Sequence, residues 1–400
     1  MASSEKSLFG ELSQPAYAVS DAETELYSLA LTLIPGLGPR RGARLLQRFG
    51  SPRAIFEAHR RDLESCGLSG TLAQSIVSAC TFDDAIMQQE RARAFGAVLL
   101  PVGDSRYPAA LREIPDPPLL LFARGRIELL EWLSIGVVGT RRPSTYGKAA
   151  AAKLTRELSE LGLVVVSGMA RGIDTIAHQN SIDGNGSTIA VFGCGVDVIY
   201  PAENRALAEN ISQKGLILSE YVMGSPSYPQ NFPVRNRIVS GISSGILVVE
   251  GAQYSGSAIT ARIAMEQGRP VFAVPGNITS RMSWGPNLLI KQGATLVQDA
   301  SDILNQMDTQ ERVRLYQRLY GEARSTESTD TEKENLPQEW GPSESRVLRT
   351  LRVDEGQTLD DLMEELPDTS SSEIIAALFQ LEMQGAVKQD AGQRYIKLWC

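Results

Sequence analysis

Through the middle of this chain, short apolar runs rich in β-branched residues alternate with stretches of helical spacing. Residues 135–138, 163–166, 187–192, 216–218, 245–249, 271–274 and 295–297 read as strands. Their near-continuous apolar character predicts burial on both faces of a parallel sheet. Between them, residues 146–161, 174–181, 204–213, 236–240, 258–267 and 287–291 read as helices. Such alternation predicts an open parallel α/β sheet with helices on both faces, whose ligands sit beyond the carboxyl ends of the strands. The residues just after each strand then matter most: Gly139-Thr140-Arg141-Arg142, Ser167-Gly168, Gly193-Cys194-Gly195, Glu250-Gly251 with Ser255-Gly256-Ser257, and Pro275-Gly276.

The organising stretch is 162–178. Leu163 to Val166 ends at Ser167-Gly168, and Ile173, Ile176 and Ala177 recur at helical spacing, so the pattern is strand, tight turn, helix. In outline that is an anion site: backbone N–H groups at a helix start, with Ser167 and Arg171 as further donors. An ordinary βα turn has the same pattern.

The flanks differ. Residues 1–22 read as a loose leader and 23–96 as a helical domain, in which two helices meet at Pro35-Gly36-Leu37-Gly38. This is a helix-hairpin-helix (SAM-like) pattern, whose hairpin either touches a DNA phosphate or serves packing alone. Residues 97–310 hold the sheet, entered through a proline-rich, extended connection at Pro101, Pro108, Pro115 and Pro117-Pro118. Residues 311–340 read as a polar helix and a flexible acidic linker. Within 341–400, three short amphipathic helices and a hairpin suggest a winged helix, with capping boxes at Thr358/Asp361 and Ser370/Glu373.

Charge separates these parts. The 400-residue chain has a formal charge of -8, yet residues 134–300 hold 14 Lys plus Arg against 11 Asp plus Glu, and residues 340–400 hold 6 against 11. A polyanion should meet the middle of the chain, and the acidic winged helix fits a protein contact better than DNA. Four scattered cysteines and two histidines, His59 and His178, support no zinc site, disulfide framework or multi-His metal centre. The amino terminus lacks the apolar block of a signal peptide, and no stretch approaches the roughly 18 apolar residues of a membrane span, so a cytoplasmic protein without a membrane partner is expected.

Enzymatic chemistry finds little support. Asp174 and His178 stand four apart on one helical face, but holding the helix start and packing beneath the loop suit them better than acid–base work. After the strand 135–138 the chain lacks the Gly-x-Gly-x-x-Gly of a dinucleotide site, and no Walker loop is present, so no cofactor is expected. What remains is Arg141, Arg142, Arg171, Arg235 and Arg237 with N–H-rich turns and one aromatic, Phe232: the ingredients of a groove for single-stranded nucleic acid. Pairing of these arginines with Glu220 and Glu250 is the structural alternative.

In these motifs the chain resembles the DNA-processing protein A (Smf) family. The likeness is carried by Gly136-Val-Val-Gly-Thr-Arg141, by Ser167 to Asp174 with Ala177-His178, and by Gly195-Val-Asp197 with Tyr200-Pro201. Ser219-Glu220-Tyr221, Phe232 to Ile238, Ser255 to Ser257 and Pro275-Gly276 continue it. The resemblance implies an extended Rossmann-like domain that binds single-stranded DNA, forms a homodimer and loads the RecA recombinase onto incoming DNA in natural transformation. It further implies phosphate contacts by Arg141 and Arg235, base stacking by Phe232, and pocket-lining roles for Ser167, Gly168, Met169, Arg171, Asn236, Arg237, Ser255, Gly256 and Ser257. Two positions depart from the family: Ala202-Glu203 stands where some members carry Lys, and Pro229-Gln230-Asn231 stands where others carry a basic residue. The rival reading is a nucleotide-cleaving phosphoribohydrolase on a similar sheet, whose Pro-Gly-Gly-x-Gly-Thr-x-x-Glu signature is replaced here by Glu250-Gly251-Ala252-Gln253-Tyr254-Ser255-Gly256.

Overall fold

The computed structural model describes residues 18–321 except 254, and 342–397 except 353–355, 367–368, 384–385 and 391–393. The expected leader (up to residue 17) and most of the expected linker (322–341) lie outside the described residues. The chain divides into two units, Met1–Thr326 and Glu327–Cys400.

The first unit is built on nine strands: β1 (Val98–Pro101), β2 (Leu120–Gly125), β3 (Ser134–Val138), β4 (Val164–Ser167), β5 (Thr188–Val191), β6 (Leu216–Ser219), β7 (Gly245–Val248), β8 (Val271–Ala273) and β9 (Thr295–Leu296). They form one sheet in the order β1-β2-β6-β5-β4-β3-β7-β8-β9. The seven strands from β6 to β9 pair in parallel. Val164 and Val166 pack in one apolar cluster and Val165 in another, so β4 is covered on both faces. This is why its sequence shows no polar alternation.

The chain lays down β3 to β6 outward in one direction, then returns to place β7 to β9 on the other side of β3. The switch point, where such sheets open a crevice, lies at the carboxyl ends of β3 and β7.

The proline-rich connection is less peripheral than its composition suggests. Leu119 to Phe122 are buried, and β1 and β2 close the sheet edge as antiparallel strands. The helices Ala22–Leu33 and Phe82–Phe95 share a core with them through Leu29, Ala30, Ala85, Ala92, Leu99 and Phe122. The helical region and the sheet therefore form one unit.

The second unit packs the helices Pro342–Thr350, Leu359–Glu365 and Ser371–Met383 around Val347, Leu362, Ile374 and Leu378. An antiparallel pair, β10 (Val387–Asp390) and β11 (Arg394–Lys397), completes it. Both expected capping boxes form: the Asp361 amide donates to Thr358 Oγ1 at 3.3 Å and the Ser370 amide to Glu373 Oε2 at 3.0 Å.

Candidate nucleic-acid interface

Two carboxylates of the chain itself fill the anion cradles at the carboxyl ends of the parallel strands. After β4 the turn runs through Met169, a non-glycine residue at φ 57° whose carbonyl accepts from Asn204 Nδ2 at 3.2 Å. The Gly168 and Ala170 amides donate to Asp174 Oδ2 at 3.1 and 3.2 Å. The donors expected to await an external anion are therefore taken by Asp174, which is 7% exposed. Ser167 is committed too, since its hydroxyl donates to the Val137 carbonyl at 2.7 Å. At the switch point the buried Glu250 carboxylate accepts from the Ser144 amide at 2.9 Å and from the Ser144 hydroxyl, at the start of the helix Thr145–Glu160. In dinucleotide folds a pyrophosphate occupies that helix end.

Arg235 and Arg237 have inward places. Both lie on the helix Asn231–Ile242, longer than the expected 236–240. Pro233 falls in the first turn of this helix, where its missing N–H costs nothing, so it starts the helix and does not break it. Arg235 is 3% exposed and donates to the Val191 carbonyl. It lies against Gly168, where an added Cβ would overlap its guanidinium. Burial pulls the Arg235 pKa down and Asp174 opposes this; burial likewise raises Asp174 and Arg235 opposes that. Arg237, 6% exposed, pairs with Glu220 and sits 3.6 Å from Asp116. Burial raises the Glu220 carboxyl, with Arg237 countering. A phosphate at the surface does not reach these two side chains as placed. The expected surface contact by Arg235 is thus corrected to a buried position bracing the β4 turn, and Arg237 follows the pairing alternative.

The outer rim is different. The Arg141 guanidinium stands 5.6 Å from the Phe232 ring centroid, and Tyr200 lies 5.2 Å from Phe232 with the rings tilted by 43°. The Phe232 ring rests on Gly193, the residue after Phe192 at the end of β5. Three strand-end segments thus converge on a cation and two π faces. Gly172, at φ 82°, lets this happen: a Cβ there would strike the Thr140 carbonyl and the Arg141 Cα. Arg141 and Arg142 are exposed, as is Arg205 beyond Tyr200. Arg171 is exposed and held by Glu203 in a two-point pair at 2.6 and 2.9 Å, which raises its pKa. Ser255 caps the helix Gly256–Glu266 through the Ala258 amide and shares a 2.7 Å hydrogen bond with Ser257, while Gly256 is exposed at its start. Asn236 is half-buried. Tyr200, 37% exposed, was absent from the expected site, though its Tyr200-Pro201 pair was a motif.

The candidate acid–base pair Asp174 and His178 is not assembled. His178 is fully buried, its Nδ1 2.7 Å from Thr188 Oγ1, and burial depresses its pKa to about 3. The Thr188 hydroxyl donates to the Val165 carbonyl, so Nδ1 carries the imidazole proton. Asp174 bonds elsewhere. Among the described residues, no group of three or more His, Cys, Asp or Glu is arranged to hold a metal ion, and no helix is long and apolar enough to cross a membrane.

The family model described as DNA recombination-mediator protein A matches residues 98–308, more than half the chain. The chain belongs to the DNA recombination-mediator protein A family. The DNA processing protein DprA of Bacillus subtilis is 44% identical over 216 residues, covering 54% of this chain and 73% of that protein. Protein Smf of Synechocystis sp. is 33% identical over 392 residues, 93% of this chain and 98% of that protein. The X-ray structure of DNA processing protein A from Streptococcus pneumoniae aligns with a TM-score of 0.63 at 34% identity, over 72% of this chain and 99% of that one. Family membership carries a role in DNA processing and recombination mediation, and the matched span holds the whole rim of Arg141, Tyr200 and Phe232.

Proposed function

We infer that this protein is a non-catalytic mediator that binds single-stranded DNA across the carboxyl ends of β3 to β6. It acts as a homodimer, protects incoming strands and loads the RecA recombinase onto them during natural transformation. The observation that carries the binding step is the Arg141–Phe232–Tyr200 stack. A guanidinium meets a phosphate while two rings offer sequence-blind π faces, the combination used for single strands. The recombinase and transformation steps rest on the family alone.

The contrasting phosphoribohydrolase reading asks for a carboxylate facing a nucleotide in the crevice. Here Glu250 is turned onto Ser144, which favours the binding role. Titration of the protein with single-stranded and duplex oligonucleotides, beside an assay for base release from nucleoside monophosphates, separates the two. Tighter binding of the single strand without released base is expected; base release with turnover would overturn the reading. Stimulated assembly of recombinase filaments on coated single strands tests the later step.

A further inference from the structure

We propose that the helix Gly38–Phe49 is a second backbone-phosphate contact, gripping the same single strand where it leaves the face past β6. The proposal deepens the single-strand reading and rests on it.

Residues 34–53 contain Arg40, Arg41, Arg44, Arg48 and Arg53 with no Asp or Glu, in a chain of net charge -8. Arg53 is taken by Glu23 and Glu57, and Arg41 donates to the Gly36 carbonyl. Arg40, Arg44 and Arg48 remain as an exposed stripe at i, i+4 and i+8, where like charges repel along a helix. Arg40 reaches only to 3.9 Å from Asp116. Such a stripe weakens its own helix, and a polyanion relieves it.

The opposite side of the helix fixes where the stripe points. Leu45 is buried with Leu37, Ile55 and Leu63, and Gly42 packs against Leu119. The preceding turn, with Gly36 at φ 80° and Gly38 at φ 65°, starts a helix whose first turn has no side-chain cap. The positive end of the helix dipole there adds to the field of the arginines.

Position links this helix to the rim. Gly38 and Pro39 share a small cavity with Leu120, the first residue of β2, and with Glu220, just past β6. A run of charges, Glu220–Arg237–Asp116–Arg40, joins the two regions. From β3 to β6 is three strand spacings, about 14 Å. A strand lying on Arg141 and Phe232 and continuing past β6 therefore reaches the start of this helix, at Gly38 to Arg40, from which the stripe runs on through Arg44 and Arg48.

The test uses the full chain and oligothymidines of about 5 and about 16 nucleotides, the span of single-strand site sizes. Anisotropy titrations across a salt series compare the native protein with the Arg44→Gln/Arg48→Gln double variant. For the long oligonucleotide, binding should weaken and the slope of log K against log salt should fall by about 1.4, two lost single-strand contacts. Binding of the short one should stay unchanged, and Arg44→Glu/Arg48→Glu should deepen the loss for the long one alone. Both arginines are exposed, so a melting temperature that is not lowered confirms intact folding. An unaltered long-oligonucleotide slope, with Arg141→Ala still weakening both lengths, would overturn the proposal and leave the rim reading standing. A loss confined to duplex DNA would overturn it as well. Failure of the native protein to bind the short oligonucleotide would remove the rim reading and this proposal together.

Discussion

The guanidinium of Arg235 lies against the Cα of Gly168, in the space that any side chain at residue 168 would need. The two residues are 67 positions apart, Gly168 in the turn after β4 and Arg235 on the helix Asn231–Ile242, so this contact locks the β4 turn to the helix after β6. Gly168→Ala should therefore overpack a buried site whose neighbour cannot swing away, costing roughly 1–3 kcal/mol. A melting temperature lowered by several degrees is the expected readout; an unchanged one would show that the helix shifts freely.

Replacing the arginine tests the electrostatic half of the same contact. Arg235→Met keeps much of the volume but leaves Asp174 buried without its cationic neighbour, a loss of order 3–5 kcal/mol at neutral pH. Burial already raises the Asp174 pKa in the folded state, and removing Arg235 raises it further. A group with a raised folded pKa supports folding below its ordinary range and loses that support as pH rises through the folded value. The variant should thus regain part of its stability in mild acid, as urea midpoints at several pH values will show.

His178 carries the opposite dependence. Its folded pKa is depressed to about 3 by burial, against an ordinary value of 6.5. Its contribution is therefore complete above pH 6.5 and is lost as pH falls toward 3, at up to about 1.4 kcal/mol per pH unit. His178→Gln, which keeps a donor for Thr188, should flatten that part of the profile. An equal acid slope in both proteins would assign the loss to other groups.

The architecture was legible because its signal is local. The seven parallel strands were visible as apolar runs, and Asp174 was placed at its helix start by position alone, whereas β2 was hidden within the proline-rich connection. The inward arginines were not legible: Arg235 and Arg237 look like surface charge in a motif, and only the 12-residue helix around them, started by Pro233, turns them inside. Tyr200 escaped because its partner Phe232 is 32 residues away, and the Gly193 surface that brings the rings together exists only in the folded sheet. The capture of the turn amides by Asp174 was equally hidden, since the same spacing serves an empty anion cradle.

Charge and stacking should separate on the rim. Arg141→Ala removes one phosphate contact, so the slope of log K against log salt should flatten by about 0.7. Phe232→Ala releases no ions and should cost roughly 1–3 kcal/mol of binding at every salt concentration. Parallel plots for the two variants would refute the division of labour; so would a Phe232→Ala protein that unfolds more readily yet binds as tightly per folded molecule.

Glu203, the partner of Arg171, lies in the turn after Tyr200-Pro201 where the resemblance implies a Lys in some members. Glu203→Gln should leave stability unchanged, because an exposed pair contributes little to folding. Freed of its carboxylate, Arg171 should tighten single-strand binding and steepen the salt slope. Unaltered titrations would place Arg171 off the path of the strand.

The tethered carboxylates of Asp174 and Glu250 also decide which molecules cannot compete. A carboxylate fixed to the chain beside its amide donors is always at hand, whereas a diffusing nucleotide must displace it from a dry pocket and strand its charge. The crevice in which related sheets hold a dinucleotide is thereby closed from within. A nucleoside triphosphate or nicotinamide cofactor would have to displace these carboxylates to enter, so weak or no competition by such nucleotides with bound single strands is the expected outcome of a displacement titration.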